Sequence, residues 1–146
     1  MSVQTSSVAS LLPVTGVTAG YFGVVTAVLA MRVGLNRLNT TTFYGLPKAE
    51  KKEVDAHVHK ERAHGNTVEW TSPFLFVLAS LELNKVLPTK QLAIIAGIFT
   101  LARTSHTLHL ARPSLPVIFR LAGFLTQAAV LAGAGAVLLY TGLKNL

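Results

Sequence analysis

The sequence contains no cysteine. That excludes disulfides, thiolate metal sites and a protein-borne thiol nucleophile, so any thiol chemistry requires a thiol from outside the chain. Charge is scarce as well: 13% of the 146 residues are charged, where a soluble domain carries about 25%. Acidic residues are the rarer sign, six against thirteen Lys and Arg, for a formal net charge of +7. No basic stripe interleaved with aromatics and no recognisable nucleic-acid motif accompanies that surplus, so nucleic acid is not an expected partner. Internal repeats and low-complexity runs are missing, as are the matched halves with broken helices that mark a transporter. Residues 1–10 lack the basic start of a signal peptide, and the apolar segment behind them exceeds the usual h-region of about 7–15 residues. An uncleaved first span is therefore expected.

Hydrophobic residues make up 51% of the chain, and the mean hydropathy is +0.50. They come in long blocks without amphipathic alternation, so the expected class is an all-α integral membrane protein, a four-transmembrane-helix bundle in one domain over residues 1–146. The first span runs from Val8 to Met31 and is closed by Arg32. The second covers about Arg62 to Leu83, the third Gln91 to Leu110 and the fourth Leu115 to Leu143. The main connection, Leu35 to Lys60, reads as irregular around Asn39 to Pro47, and its charged run from Lys48 to Lys60 reads as a solvated helix face. Glu82, Asn84, Lys85 and Pro88 form a short turn. Ten of the thirteen Lys and Arg lie on or near the side of the first connection, which predicts that this side is cytoplasmic.

Charge enters the second span through Arg62-Ala-His-Gly-Asn-Thr-Val-Glu69. At about 100° per residue Arg62, Asn66 and Glu69 share one helical face. A charge facing lipid at the bilayer centre costs roughly 2.5 kcal/mol or more, so this face should meet a bundle interior, a pocket or a partner. The up-and-down order brings Arg32, Arg62, Asn66, Glu69, Arg103, His106 and Arg120 into one leaflet. Several guanidinium groups with one carboxylate and one carboxamide suit a small, peptide-like dianion that also carries an ammonium group. His57-x-His59 in an exposed charged run is a weak signal, and His106/His109 have no nearby carboxylate on their helix, so no metal site is expected.

The run Arg62-Ala-His-Gly-Asn66-Thr-Val-Glu69-Trp-Thr-Ser-Pro73-Phe-Leu-Phe resembles the signature of the MAPEG family, the membrane-associated proteins of eicosanoid and glutathione metabolism. Ala102-Arg103-Thr-Ser-His106-Thr107 is similar to the third-span motif of its microsomal glutathione transferase and prostaglandin E synthase branch, and Arg120 matches an arginine at the start of the fourth span. The resemblance implies a homotrimer binding glutathione between neighbouring subunits, with a lipophilic second substrate drawn from membrane lipid surroundings. Arg32, Arg62, Asn66, Glu69, Arg103 and His106 would then bind glutathione, and Arg120 would be catalytic, facing the thiol. The implied activity is that of a glutathione transferase or peroxidase, the alternative being a non-catalytic relative that binds lipid or a partner. The membrane would be that of the endoplasmic reticulum in a eukaryote or the cytoplasmic membrane in a bacterium. The chain departs from the pattern at Leu110 and Trp70, where the family often carries tyrosine.

Overall fold

The computed structural model describes residues 11–41, 45–46 and 50–146. Four helices account for most of them: α1 (Pro13–Asn39), α2 (Lys51–Leu83), α3 (Thr89–Ala111) and α4 (Val117–Lys144). Pro13 opens α1 at a position where its missing N–H costs nothing. Pro88 and Pro116 immediately precede α3 and α4. The short connections at 84–88 and 112–116 make sequential helices antiparallel neighbours. Helices α2 and α3 each touch the other three, while α1 and α4 flank them.

Between α2 and α3 the chain turns by a Schellman arrangement: Lys85 N–H donates to Glu82 O at 3.2 Å and Val86 N–H to Leu81 O at 3.0 Å. Lys85 sits in the left-handed region (φ 50°) that glycine usually takes. Val86 and Leu81 pack into the same apolar cluster, which favours the turn despite the strained residue.

That cluster joins Phe22, Phe74, Leu78, Leu81, Leu92, Ala96, Phe99 and Ala134. Phe74 and Phe99 stack at 3.6 Å between ring centroids. A smaller cluster of Leu29, Ala63 and Leu110 lies towards the 40–50 connection. By length and composition α1 and α4 are able to cross a membrane, and both expose apolar side chains such as Val17, Val24, Met31, Ile118 and Leu125. So much unpaired hydrocarbon on flanking helices suits lipid rather than water.

Three expectations are corrected. Arg32 does not close the first helix, which continues to Asn39. The charged run ahead of Arg62 is helical, as its sequence suggests, with α2 beginning at Lys51. The expected start of the first span at Val8 lies outside the described residues, as does Lys48. Nor is the charged run simply a solvated face. His57 is 1% exposed, accepting at Nδ1 from the Asn36 amide at 2.7 Å. Lys60 donates to Asn36 Oδ1, and Arg37 pairs with Glu61. These partners on α1 hold both helices together beyond the apolar blocks. Glu82 is no turn residue either: it lies in the last turn of α2, and its carboxylate accepts from Val14 N–H at 2.9 Å and Thr15 N–H at 2.8 Å. It thereby caps an α1 N-terminus that has no side-chain cap of its own and complements the helix dipole there.

Candidate functional site

A polar layer separates the two apolar clusters, and Arg103 is its centre. The side chain is wholly buried. Its Nη2 donates to Asn66 Oδ1 on α2 at 2.9 Å, its Nη1 to Gln127 Oε1 on α4 at 2.9 Å, and its Nε to Thr107 Oγ1 on α3 at 3.2 Å. Thr107 and Thr67 hydroxyls lie 2.9 Å apart, and Thr67 donates onward to Ala63 O at 2.7 Å. The hydroxyl protons therefore run one way: Arg103 to Thr107, Thr107 to Thr67, Thr67 to the α2 backbone. A guanidinium among neutral acceptors braces three helices, with three of its five N–H donors used within the protomer.

In front of this brace lies a cavity of about 650 Å³ between α2, α3 and α4. Arg62, Asn66, His106 and Arg120, with His59 at the edge of the wall, are its polar residues; Val58, Leu110, Leu121 and Phe124 contribute hydrocarbon. Asn66 gives its carbonyl oxygen to Arg103, and its NH2 makes no hydrogen bond among the described residues. Two donors are thus held ready at a fixed orientation. His106 Nδ1 lies 2.9 Å from the Arg120 carbonyl. That oxygen can only accept, so Nδ1 carries the proton and Nε2 of the neutral ring is an acceptor. Ser105 Oγ donates to Phe119 O at 3.1 Å, a second tie between α3 and α4.

Gly123 sets this close approach. A Cβ there would meet Ala102 O at 2.6 Å and His106 N at 2.9 Å, both backbone atoms. Gly123→Ala is expected to push α3 and α4 apart, lowering stability by about 1–3 kcal/mol and weakening the His106–Arg120 tie. Thermal unfolding in mild detergent measures the loss; an unchanged transition would mean that the helices relax without cost.

Of the seven residues singled out in the sequence, four share the cavity wall and Arg103 stands behind Asn66. Arg32 lies elsewhere: it donates to Ala111 O at 3.2 Å and lines a separate basin. Glu69 is exposed on α2, within electrostatic reach of Arg103, and makes no ion pair with Arg62 among the described residues. Gln127, Thr107 and Gly123 escaped the sequence reading. A lone carboxamide seven residues beyond Arg120 in an apolar helix, and a threonine one turn after Arg103, were the available signals. Leu110, where tyrosine was looked for, gives the cavity hydrocarbon, and Trp70 packs edge-on against Phe124 at 5.4 Å.

No curated protein and no solved structure matches the chain significantly. The family comparison is positive and covers all four helices almost completely: the chain belongs to the MAPEG family, whose model matches residues 15–140.

Proposed function

We propose that the protein is a membrane-bound glutathione-dependent transferase or peroxidase of the microsomal glutathione transferase and prostaglandin E synthase branch, working as a homotrimer of four-span protomers. The observation that carries this reading is the convergence of Arg62, Asn66, His106 and Arg120 on one cavity from three helices. Family membership gives that convergence its chemical meaning. The donor set fits the tripeptide: Arg62 suits a carboxylate, the Asn66 NH2 a carboxylate or peptide carbonyl, and Arg120 the sulfur. In conjugation the thiolate sulfur forms a bond to an electrophilic carbon, and the leaving group departs with its electron pair.

The exposed α2 residues Arg62, Glu69 and Phe76 present a stripe that the protomer's own helices leave uncovered. In the trimer a neighbouring copy covers it, which puts Glu69 opposite the ligand's ammonium group. The crowding of Lys and Arg at the 40–50 connection supports a cytoplasmic location for the site, facing the cytoplasm from the endoplasmic reticulum or from a bacterial membrane.

A second reading, a non-catalytic family member that binds lipid or a partner, draws on Leu110 and Trp70, which leave the cavity without the expected hydroxyls. Calorimetric titration of detergent-purified protein with glutathione separates the two. Binding is expected, and Glu69→Gln should weaken it roughly ten- to a hundredfold, the worth of a charge-assisted hydrogen bond, while native mass spectrometry still finds the trimer. No heat at millimolar glutathione would favour the non-catalytic reading, and loss of folding in Glu69→Gln would make that residue structural.

A further inference from the structure

At the end of the bundle beside the 40–50 connection a basin of about 560 Å³ opens between α1, the first turns of α2 and the α3–α4 turn. Four cations stand on its wall, Arg32, Lys51, Lys52 and Lys60, together with His59; Asp55 is the one carboxylate there. Two of the cations are held in place, Arg32 by Ala111 O and Lys60 by Asn36 Oδ1. The side chains of Lys51 and Lys52 make no hydrogen bond or ion pair among the described residues. Excess positive charge enclosed on several sides, with two unspent ammonium groups, selects an anion with several oxygens.

Depth identifies the source of that anion. The charge-free part of α1, from its start at Pro13 to Met31, is at helical rise about as long as the hydrocarbon core is thick, roughly 30 Å. Arg32 follows at once, so the basin lies at the level of the lipid phosphates. On the α1 surface one and two turns into the hydrocarbon from Arg32, Val28 and Val24 are exposed, a track for the acyl chain of a lipid whose head is in the basin.

We propose that this basin docks the phosphate headgroup of an anionic membrane lipid. The wall is distinct from that of the candidate glutathione cavity, sharing only His59, and the proposal stands whether or not glutathione binds. Its test is lipid retention by the full-length protein, released from phosphatidylcholine nanodiscs carrying a minor share of phosphatidic acid and read by native mass spectrometry. Phosphatidic acid should be retained in preference to phosphatidylcholine, and Lys51→Gln/Lys52→Gln should lower its affinity by about thirtyfold. Lys51→Arg/Lys52→Arg should keep it, and glutathione titrations of both double variants should match wild type. Equal retention of the two lipids, an undiminished affinity in the glutamine variant, or loss in the arginine variant would overturn the proposal. So would soluble glycerol phosphate displacing the lipid with equal affinity, which would make the basin a pocket for free phosphate compounds.

Discussion

Arg103→Leu is expected to cost about 3–5 kcal/mol of stability, because it takes the donor from three acceptors on three helices at once. The leucine would leave Gln127 Oε1 and Thr107 Oγ1 buried, and Asn66 Oδ1 beside the cavity, without the donor they share across three helices. Each buried acceptor left without a donor costs roughly 1–3 kcal/mol, and the shorter side chain adds a void. The measurement is thermal or denaturant unfolding in detergent, followed by helical circular dichroism. Arg103→Lys gives the contrast, since one ammonium group cannot reach acceptors on three sides in the geometry of a planar fork. It should fall between wild type and leucine. Glutathione affinity should drop with stability in both variants, because Asn66 loses the partner that orients its NH2. A leucine variant as stable as wild type would show that the three acceptors find water or one another, and the brace would lose its meaning.

The position of Arg103 also shows where sequence reading stops. Arginine in an apolar span announces an interior partner, but periodicity tells only which face it occupies. Thr107 is one turn away, but the arginine's partners on α2 and α4 lie 37 residues before it and 24 after it, separations at which no local pattern operates. Arg103 therefore looked like one more ligand for an anion, when three of its five N–H donors already go to Asn66, Thr107 and Gln127. Helices α3 and α4 were legible because Pro88 and Pro116 stand at their starts and apolar blocks fill them. The end of α1 was not, since a basic residue after an apolar run reads as a terminus unless Asn36 and Arg37 can be known to meet Lys60 and Glu61. Glu82 failed for the same reason, its acceptors serving an N-terminus 67 and 68 residues away. Motif residues fared better. Arg62, Asn66, His106 and Arg120 recur at helical spacing on faces that the short antiparallel connections turn toward one another, so their convergence followed from register alone.

Arg120→Leu should fold normally and lose most turnover. The contrast with Arg103 is in how the two residues are used: what ties Arg120 to α3 is its backbone carbonyl, which accepts from His106, and its guanidinium makes no hydrogen bond among the described residues. Leucine keeps the carbonyl and leaves no buried acceptor orphaned. What disappears is a cation on the cavity wall. A thiol of ordinary acidity is only about a few per cent ionised at neutral pH, and a guanidinium that keeps its proton stabilises the anion. Each unit by which it lowers the thiol's pKa corresponds to about 1.36 kcal/mol between the two protonation states. On the glutathione reading, the Arg120 interaction is therefore made with the ionised sulfur and its transition state, while Arg62 and Asn66 hold the peptide. Affinity should change little and turnover should fall by roughly a hundredfold or more, the scale set by loss of one preorganised electrostatic donor. An ultraviolet difference titration with glutathione reads the thiolate directly, beside a conjugation assay with a general aromatic electrophile. In the variant the thiolate signal should appear only at higher pH, because an unassisted thiol ionises later. An equal signal in wild type and variant would remove Arg120 from the chemistry. Binding without thiolate or turnover in the wild type would assign the decisive role to the hydroxyls that Leu110 and Trp70 replace, leaving this chain a glutathione-binding protein on an enzyme's fold.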